Sequence, residues 1–219
     1  MTEKSVEHDD YGTIYLLRHG ELLQEPGGRR YIGQTDLPLS PSGIRQAEQW
    51  HSFFSRIDLS AIFCSDLHRS LQTACIIAKG RPLEMTSMPE LREVDLGAWE
   101  GLLFETVRNA ERQAYEMRGR DPAGFRPSSG ESFVDLHERV MPAFKRIASH
   151  CTGNTLIVGH AGVNRVVLCY LLGMPLNHLF RLGQDYAALN IIKKQASGVR
   201  VQAINLILGW EEKLKRAGE

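Results

Sequence analysis

The chain has 219 residues, with 26 lysines and arginines against 26 aspartates and glutamates. That length allows a sizeable core, and the balanced charge argues against a basic groove for nucleic acid. No apolar run approaches the ~18 residues a membrane span needs, and the polar opening MTEKSVEHDD reads as a frayed tail over residues 1–12 with no secretion signal.

Thr13–Leu17 reads as a buried strand delivering Arg18-His19-Gly20-Glu21. Ser40-Pro41 opens a helix, with Ser40 as N-cap and Pro41 in the first turn. Ala61–Cys64 is a second short strand, and Ser65 is expected to cap the helix carrying Leu71, Ala74 and Ala78. Leu83 to Ser87 is a weaker strand. Glu105 to Arg118 reads as one exposed, charged helix, and Arg108, Arg112, Arg118, Arg120 and Arg126 as a solvated face, with the alternative that one or two of them grip an anionic substrate. Gly119 to Gly130 is a loop by composition. A helix over Ser132 to His150 is expected to kink or break at Pro142. Thr155–Val158 is a strand, followed by a helix over Ala161 to Leu172 that Gly173 ends. Ala187–Lys193 and Val199–Asn205 form a closing hairpin, with a short helix after Gly209.

Strands alternating with helices predict an α/β chain: three layers, α/β/α, around a mostly parallel sheet. Residues 13–219 read as a single domain with a helical insertion at about 104–126. The four cysteines, Cys64, Cys75, Cys151 and Cys169, form no C-x-x-C pair. They read as reduced thiols of a cytoplasmic protein, and no metal-ligand spacing repeats.

Three predicted strands end in polar residues: Arg18-His19-Gly20-Glu21, Ser65-Asp66 with His68 and Arg69 just beyond, and Gly159-His160-Ala161-Gly162. In a parallel sheet those ends share one edge, where α/β proteins bind ligands. Arginine forks match tetrahedral oxyanions, and a neutral histidine among them can serve as a nucleophile. Glu93, Asp95 and Glu100 are candidate acids for a leaving alkoxide, and the residues alone do not choose among them.

These segments, with GQTDLPLSPSGIRQAE at 33–48, SDLHRSLQTA at 65–74, LREVDLGAWEG at 91–101, SGES at 129–132 and VGHAG at 158–162, resemble the histidine phosphatase superfamily, also called phosphoglycerate mutase-like. The matches run in order from residue 13 to about 165. The resemblance implies that fold and a phosphohistidine mechanism with no cofactor and no metal. It implies His19 as nucleophile, Glu93 as proton donor, and Arg18, Arg69 and His160 as holders of the phosphate. Gln24, Glu25, Gly33, Gln34, Glu131, Ser132 and Ala161 become substrate-contact candidates. Many members carry Asn six residues after the catalytic histidine, where this chain has Glu25; Gln24 could take that role.

The resemblance favours the phosphatase branch, whose members include α-ribazole phosphatases and broad-specificity sugar-phosphate phosphatases. The expected reaction is hydrolysis of a small phosphorylated metabolite, α-ribazole 5′-phosphate or a sugar phosphate. The alternative is a cofactor-dependent phosphoglycerate mutase, disfavoured because only about 25 residues separate Gly101 from Pro127 and no Arg-Arg pair lies among them. No nucleic-acid or membrane partner is expected, and a homodimer is open. Glu21 is expected to orient His19 or an arginine, unless a backbone carbonyl holds His19 Nδ1 instead.

Overall fold

The computed structural model describes residues 12–150, 152–196 and 198–209. The expected tail and C-terminal helix lie outside them, apart from Gly12 and Gly209. A six-stranded sheet has the order β3-β2-β4-β1-β5-β6. Its strands are β1 (Thr13–Arg18), β2 (Leu59–Cys64), β3 (Met85–Ser87), β4 (Asn154–Gly159), β5 (Leu189–Gln195) and β6 (Gly198–Leu206). The first four are parallel; β5 joins β1 antiparallel and pairs with β6 in the hairpin foreseen from the sequence.

Alternation along β1 splits the core. Ile14 and Leu16 face a cluster with Leu136 and Val140 of α5 (Phe133–His150) and Val163 and Val166 of α6 (Ala161–Leu172). Tyr15 and Leu17 face Trp50 and Phe54 of α1 (Pro41–Phe54) and Ala74 and Ile77 of α2 (His68–Ala78). Both faces of the central strands are covered, which is why they read as unbroken apolar runs.

Three local expectations need correction. Ser65 does not cap α2: the N-cap position is Leu67, and Asp36 Oδ1 accepts from the His68 N–H at 2.7 Å. The charged helix is two, α3 (Phe104–Ala110) and α4 (Arg112–Arg120), parted at Glu111, whose carboxylate accepts from Trp99 Nε1 at 2.9 Å. Helix α5 runs unbroken through Pro142. Pro142 and Glu138 are exposed, so the carbonyl the proline leaves without a donor can take water.

Candidate active site

The strand register brings the polar ends level. Arg18 stands opposite Gly159, and Cys64 opposite Val158, so residues 18–20, 65 and 160–162 emerge side by side. His19 is 3 % exposed, and its ring lies 5.1 Å from that of His160, which is fully buried. Arg69, 1 % exposed, reaches back from α2 and donates to the carbonyls of Thr35 (2.9 Å) and Gly33. Arg18 donates to the Gln184 carbonyl at 2.7 Å and lies 3.9 Å over the Tyr186 ring.

Gly20 lets this corner close. A Cβ there would stand 2.6 Å from the Gly43 carbonyl oxygen. His19 Nδ1 lies 2.7 Å from the Gly20 carbonyl, an acceptor only. Nδ1 therefore carries the proton, and Nε2 has the free lone pair. Burial, then Arg18 and Arg69, depresses the His19 pKa well below that of free imidazole and keeps the ring neutral. His160 is depressed likewise, by burial and then by Arg69. Its Nε2 lies 2.6 Å from Ser65 Oγ, and its buried Nδ1 has no partner among the described residues.

The carbonyl thus takes the part that Glu21 was one candidate for. Glu21 acts here through its backbone: its N–H donates to Gln46 Oε1 at 2.8 Å, and its carbonyl accepts from the Ser40 N–H.

Geometry separates the three acids. Glu100 accepts from the N–H groups of Gly33, Gln34, Thr35 and Leu96 and from Thr35 Oγ1 at 2.6 Å, so both oxygens serve the loop. Asp95 accepts from the Gly97 N–H within its own turn. Glu93, 8 % exposed, lines the cleft and accepts only from the N–H groups of Val94 and Gly162, each at 3.0 Å. A side chain at Gly162 would collide with Glu93 Oε1.

The substrate-contact candidates divide. Gln24 and Ala161 line the cleft, and Gln24 donates to Tyr186 Oη at 3.1 Å. Gly33 and Gln34 sit behind the wall, anchored on Glu100, with the Gln34 amide donating to the Glu93 carbonyl. Glu25 is exposed and outside the lining. Glu131 and Ser132 are turned to structural work. Glu131 is forked by Arg139 at 2.7 and 2.9 Å, while Ser132 and Asp135 cap the start of α5 reciprocally.

The sequence reading missed several residues. Arg139 also gathers the carbonyls of Glu90, Arg92 and Glu93, fixing the acid loop. The Gln184 side chain is held by Asn164 and Asn190 in a buried amide network, which steadies the carbonyl under Arg18. Tyr186 precedes Ala187, a non-glycine residue at φ 54 whose N–H donates to the His19 carbonyl. Of the five arginines read as a solvated face, with one or two left open as grips for an anionic substrate, Arg118 lines the cleft; Arg108, Arg112, Arg120 and Arg126 pair with acids outside it. None of these belongs to a motif quoted above; only the Gly-Gln-Asp-Tyr run at 183–186, just before a strand, hinted at a loop.

The whole forms a cleft of about 690 Å³, also walled by Tyr31, Phe104, Phe133, Arg165 and Phe180. A histidine with a free Nε2 facing two arginines suits attack on a phosphoryl group. Comparison with known proteins decides the family: the model of the histidine phosphatase superfamily, branch 1, matches residues 14–207. The chain belongs to the histidine phosphatase superfamily. An adenosylcobalamin/alpha-ribazole phosphatase of Salmonella typhimurium is 32 % identical over 81 % of this chain and 90 % of its own. A probable phosphoglycerate mutase of Yersinia pestis is 34 % identical over 84 % of this chain and 86 % of its own. The crystal structure of the alpha-ribazole phosphatase from Shigella flexneri superposes with a TM-score of 0.81 at 27 % identity, over 89 % of this chain and 96 % of that one. The fold is the one the sequence motifs implied. Among the described residues no cluster of His, Cys, Asp and Glu could hold a metal ion, and no helix is long and apolar enough to cross a membrane.

Proposed function

We propose that this member of the superfamily is a phosphomonoesterase acting on a small phosphorylated metabolite through a phosphohistidine at His19. The observation that carries the reading is the His19 tautomer, with Nδ1–H tied to the Gly20 carbonyl and Nε2 free among buried cations. The Nε2 lone pair attacks phosphorus, and the bond from phosphorus to the ester oxygen breaks. The departing alkoxide takes the Glu93 proton. Water then attacks the phosphohistidine, Glu93 takes the proton from it, and phosphate leaves with His19 restored.

Arg18 and Arg69 offset the charge on the equatorial oxygens. Arg18 Nε, Arg69 Nε and His160 Nδ1 are buried without partners, and phosphate oxygens would give them acceptors. When Ser65 donates its hydroxyl proton to His160 Nε2, Nδ1 becomes the donor such an oxygen needs. Gln24, held by Tyr186, stands near enough to the cleft to serve in place of the usual Asn.

The likeness to alpha-ribazole phosphatases makes α-ribazole 5′-phosphate one substrate to test, with sugar phosphates another. The free thiols of Cys64, Cys75 and Cys169 fit a cytoplasmic setting. A single domain over residues 13–219 accords with the one continuous sheet.

The test is a panel of phosphomonoesters assayed for released phosphate, with the wild type beside His19→Ala. Acid quenching during turnover should trap an acid-labile phosphoenzyme that the variant lacks. Full turnover in His19→Ala sinks the mechanism. Transfer from 2,3-bisphosphoglycerate to 3-phosphoglycerate with little hydrolysis would select the mutase reading suggested by the Yersinia relative.

A further inference from the structure

Six arginines line the cleft, Arg18, Arg29, Arg30, Arg69, Arg118 and Arg165, against two carboxylates, Glu93 and Asp185. A phosphoryl dianion answers only about two of these surplus positive charges. The remaining excess has a definite place. Arg30 donates to the Gly101 carbonyl and Arg165 to the Leu182 carbonyl, so part of each fork is engaged. Arg118 differs. Its guanidinium carbon lies 5.5 Å from the centre of the Tyr31 ring and 5.1 Å from that of Phe180. No hydrogen bond or ion pair reaches it among the described residues, although Arg112 and Arg120 on the same helix both pair with Glu116. Arg165 lies 5.5 Å from the same Phe180 ring, and Arg29 lies 5.1 Å from Phe104, itself stacked on Tyr31 at 4.0 Å.

The aromatic side chains therefore seat these guanidinium groups against ring faces. A half-buried cation gains little from remaining unpaired, since burial already disfavours its charge. A cleft of about 690 Å³ suits a body much larger than one phosphoryl group. We propose that the outer half of the cleft is a second anion subsite centred on Arg118. The substrate is then a phosphomonoester whose alcohol half carries a carboxylate or a second phosphate. This rests on the phosphomonoesterase reading and narrows it: a neutral sugar phosphate, or α-ribazole 5′-phosphate, leaves Arg118 without a partner.

Matched pairs test it. 3-Phosphoglycerate and glycerol 3-phosphate differ by a carboxylate; fructose 1,6-bisphosphate and fructose 6-phosphate differ by a phosphate. Phosphate release should favour the doubly anionic member of at least one pair by about tenfold or more in kcat/KM, the scale of one charge-assisted hydrogen bond. The pair that shows the larger ratio identifies the anion. In Arg118→Met that ratio should fall to within about threefold of unity, and Arg118→Gln reads the same ratio should the Met variant be unfolded. A merely structural Arg118 would lower both members equally and leave the ratio standing, which overturns the subsite. Ratios near unity in the wild type overturn it too, while leaving the hydrolase reading intact. Absence of hydrolysis of all four compounds and of p-nitrophenyl phosphate, with His19→Ala indistinguishable from wild type, removes both.

Discussion

The floor of the cleft and its outer wall are built by different means. The floor consists of strand ends in fixed register: Arg18 ends β1, His19 and His160 follow β1 and β4, and Arg69 is buried against them. The wall is built mainly by two short helices, α3 and α4, and a loop at 24–32, with Phe133, Arg165 and Phe180 beside them and arginines resting on aromatic rings. The floor has its protons and tautomers assigned by hydrogen bonds. The wall offers charge and planar surface, and little in it is hydrogen-bonded to the sheet. On the proposed reading, the chemistry sits on the sheet, and selection among substrates on elements that can change without disturbing it.

Substitutions should respect that division. Arg69→Met should cost about 10²–10³-fold in kcat/KM on every phosphomonoester, because it removes a preorganised cation from the transferring group. A loss confined to one substrate would erase the distinction between floor and wall. Ser65→Ala should lower kcat about tenfold by freeing the His160 tautomer, with a melting temperature reduced by only a few degrees. An unchanged kcat would show that the Ser65 hydroxyl does not fix that ring.

Acid sensitivity should also reside in the floor. His19 and His160 titrate below about 6.5 in the folded chain, so between that value and their depressed ones the unfolded chain binds more protons. Their effect is absent above about pH 6.5, and stability falls as pH drops below it. Melting curves from about pH 8 to 5 should show the decline, and His19→Gln should flatten part of it; an equal slope in both proteins would exclude His19 as a source. The smallest effect is expected at Glu21, beside the proposed nucleophile in sequence: Glu21→Gln should leave kcat/KM within about twofold, since the hydrogen bonds of this residue come from its backbone. A larger loss would return the carboxylate to the mechanism.

The sheet was legible because buried strands announce themselves by composition, and Ser40-Pro41 and Gly173 mark helix ends through purely local rules. The inner site was legible because its residues sit in motifs at strand ends. Ser65 was misread because a local cap and a contact 95 residues away look alike in sequence. Glu131 and Ser132 sit in the SGES motif that carried the family resemblance, yet their side chains serve Arg139 and the start of α5. Arg118 could not be singled out from the other arginines of its segment, because its place depends on Tyr31 and Phe180, brought together only by the tertiary fold. The helix break at Glu111 escaped for a similar reason, since Trp99 claims the Glu111 carboxylate.

Glu100 has a consequence for anyone who would re-engineer this protein. Its two oxygens hold the amides of residues 33–35, and the carbonyls of Gly33 and Thr35 hold Arg69. The same carboxylate accepts from Leu96, three residues after Glu93. Glu93, the proposed proton donor, and Arg69, a proposed phosphate holder, are therefore coupled through a single side chain that touches neither. Grafting a new acid loop without its partner segment at 33–35 would detune the arginine as well. The two segments are one exchangeable part, and the boundary for any chimera falls outside both.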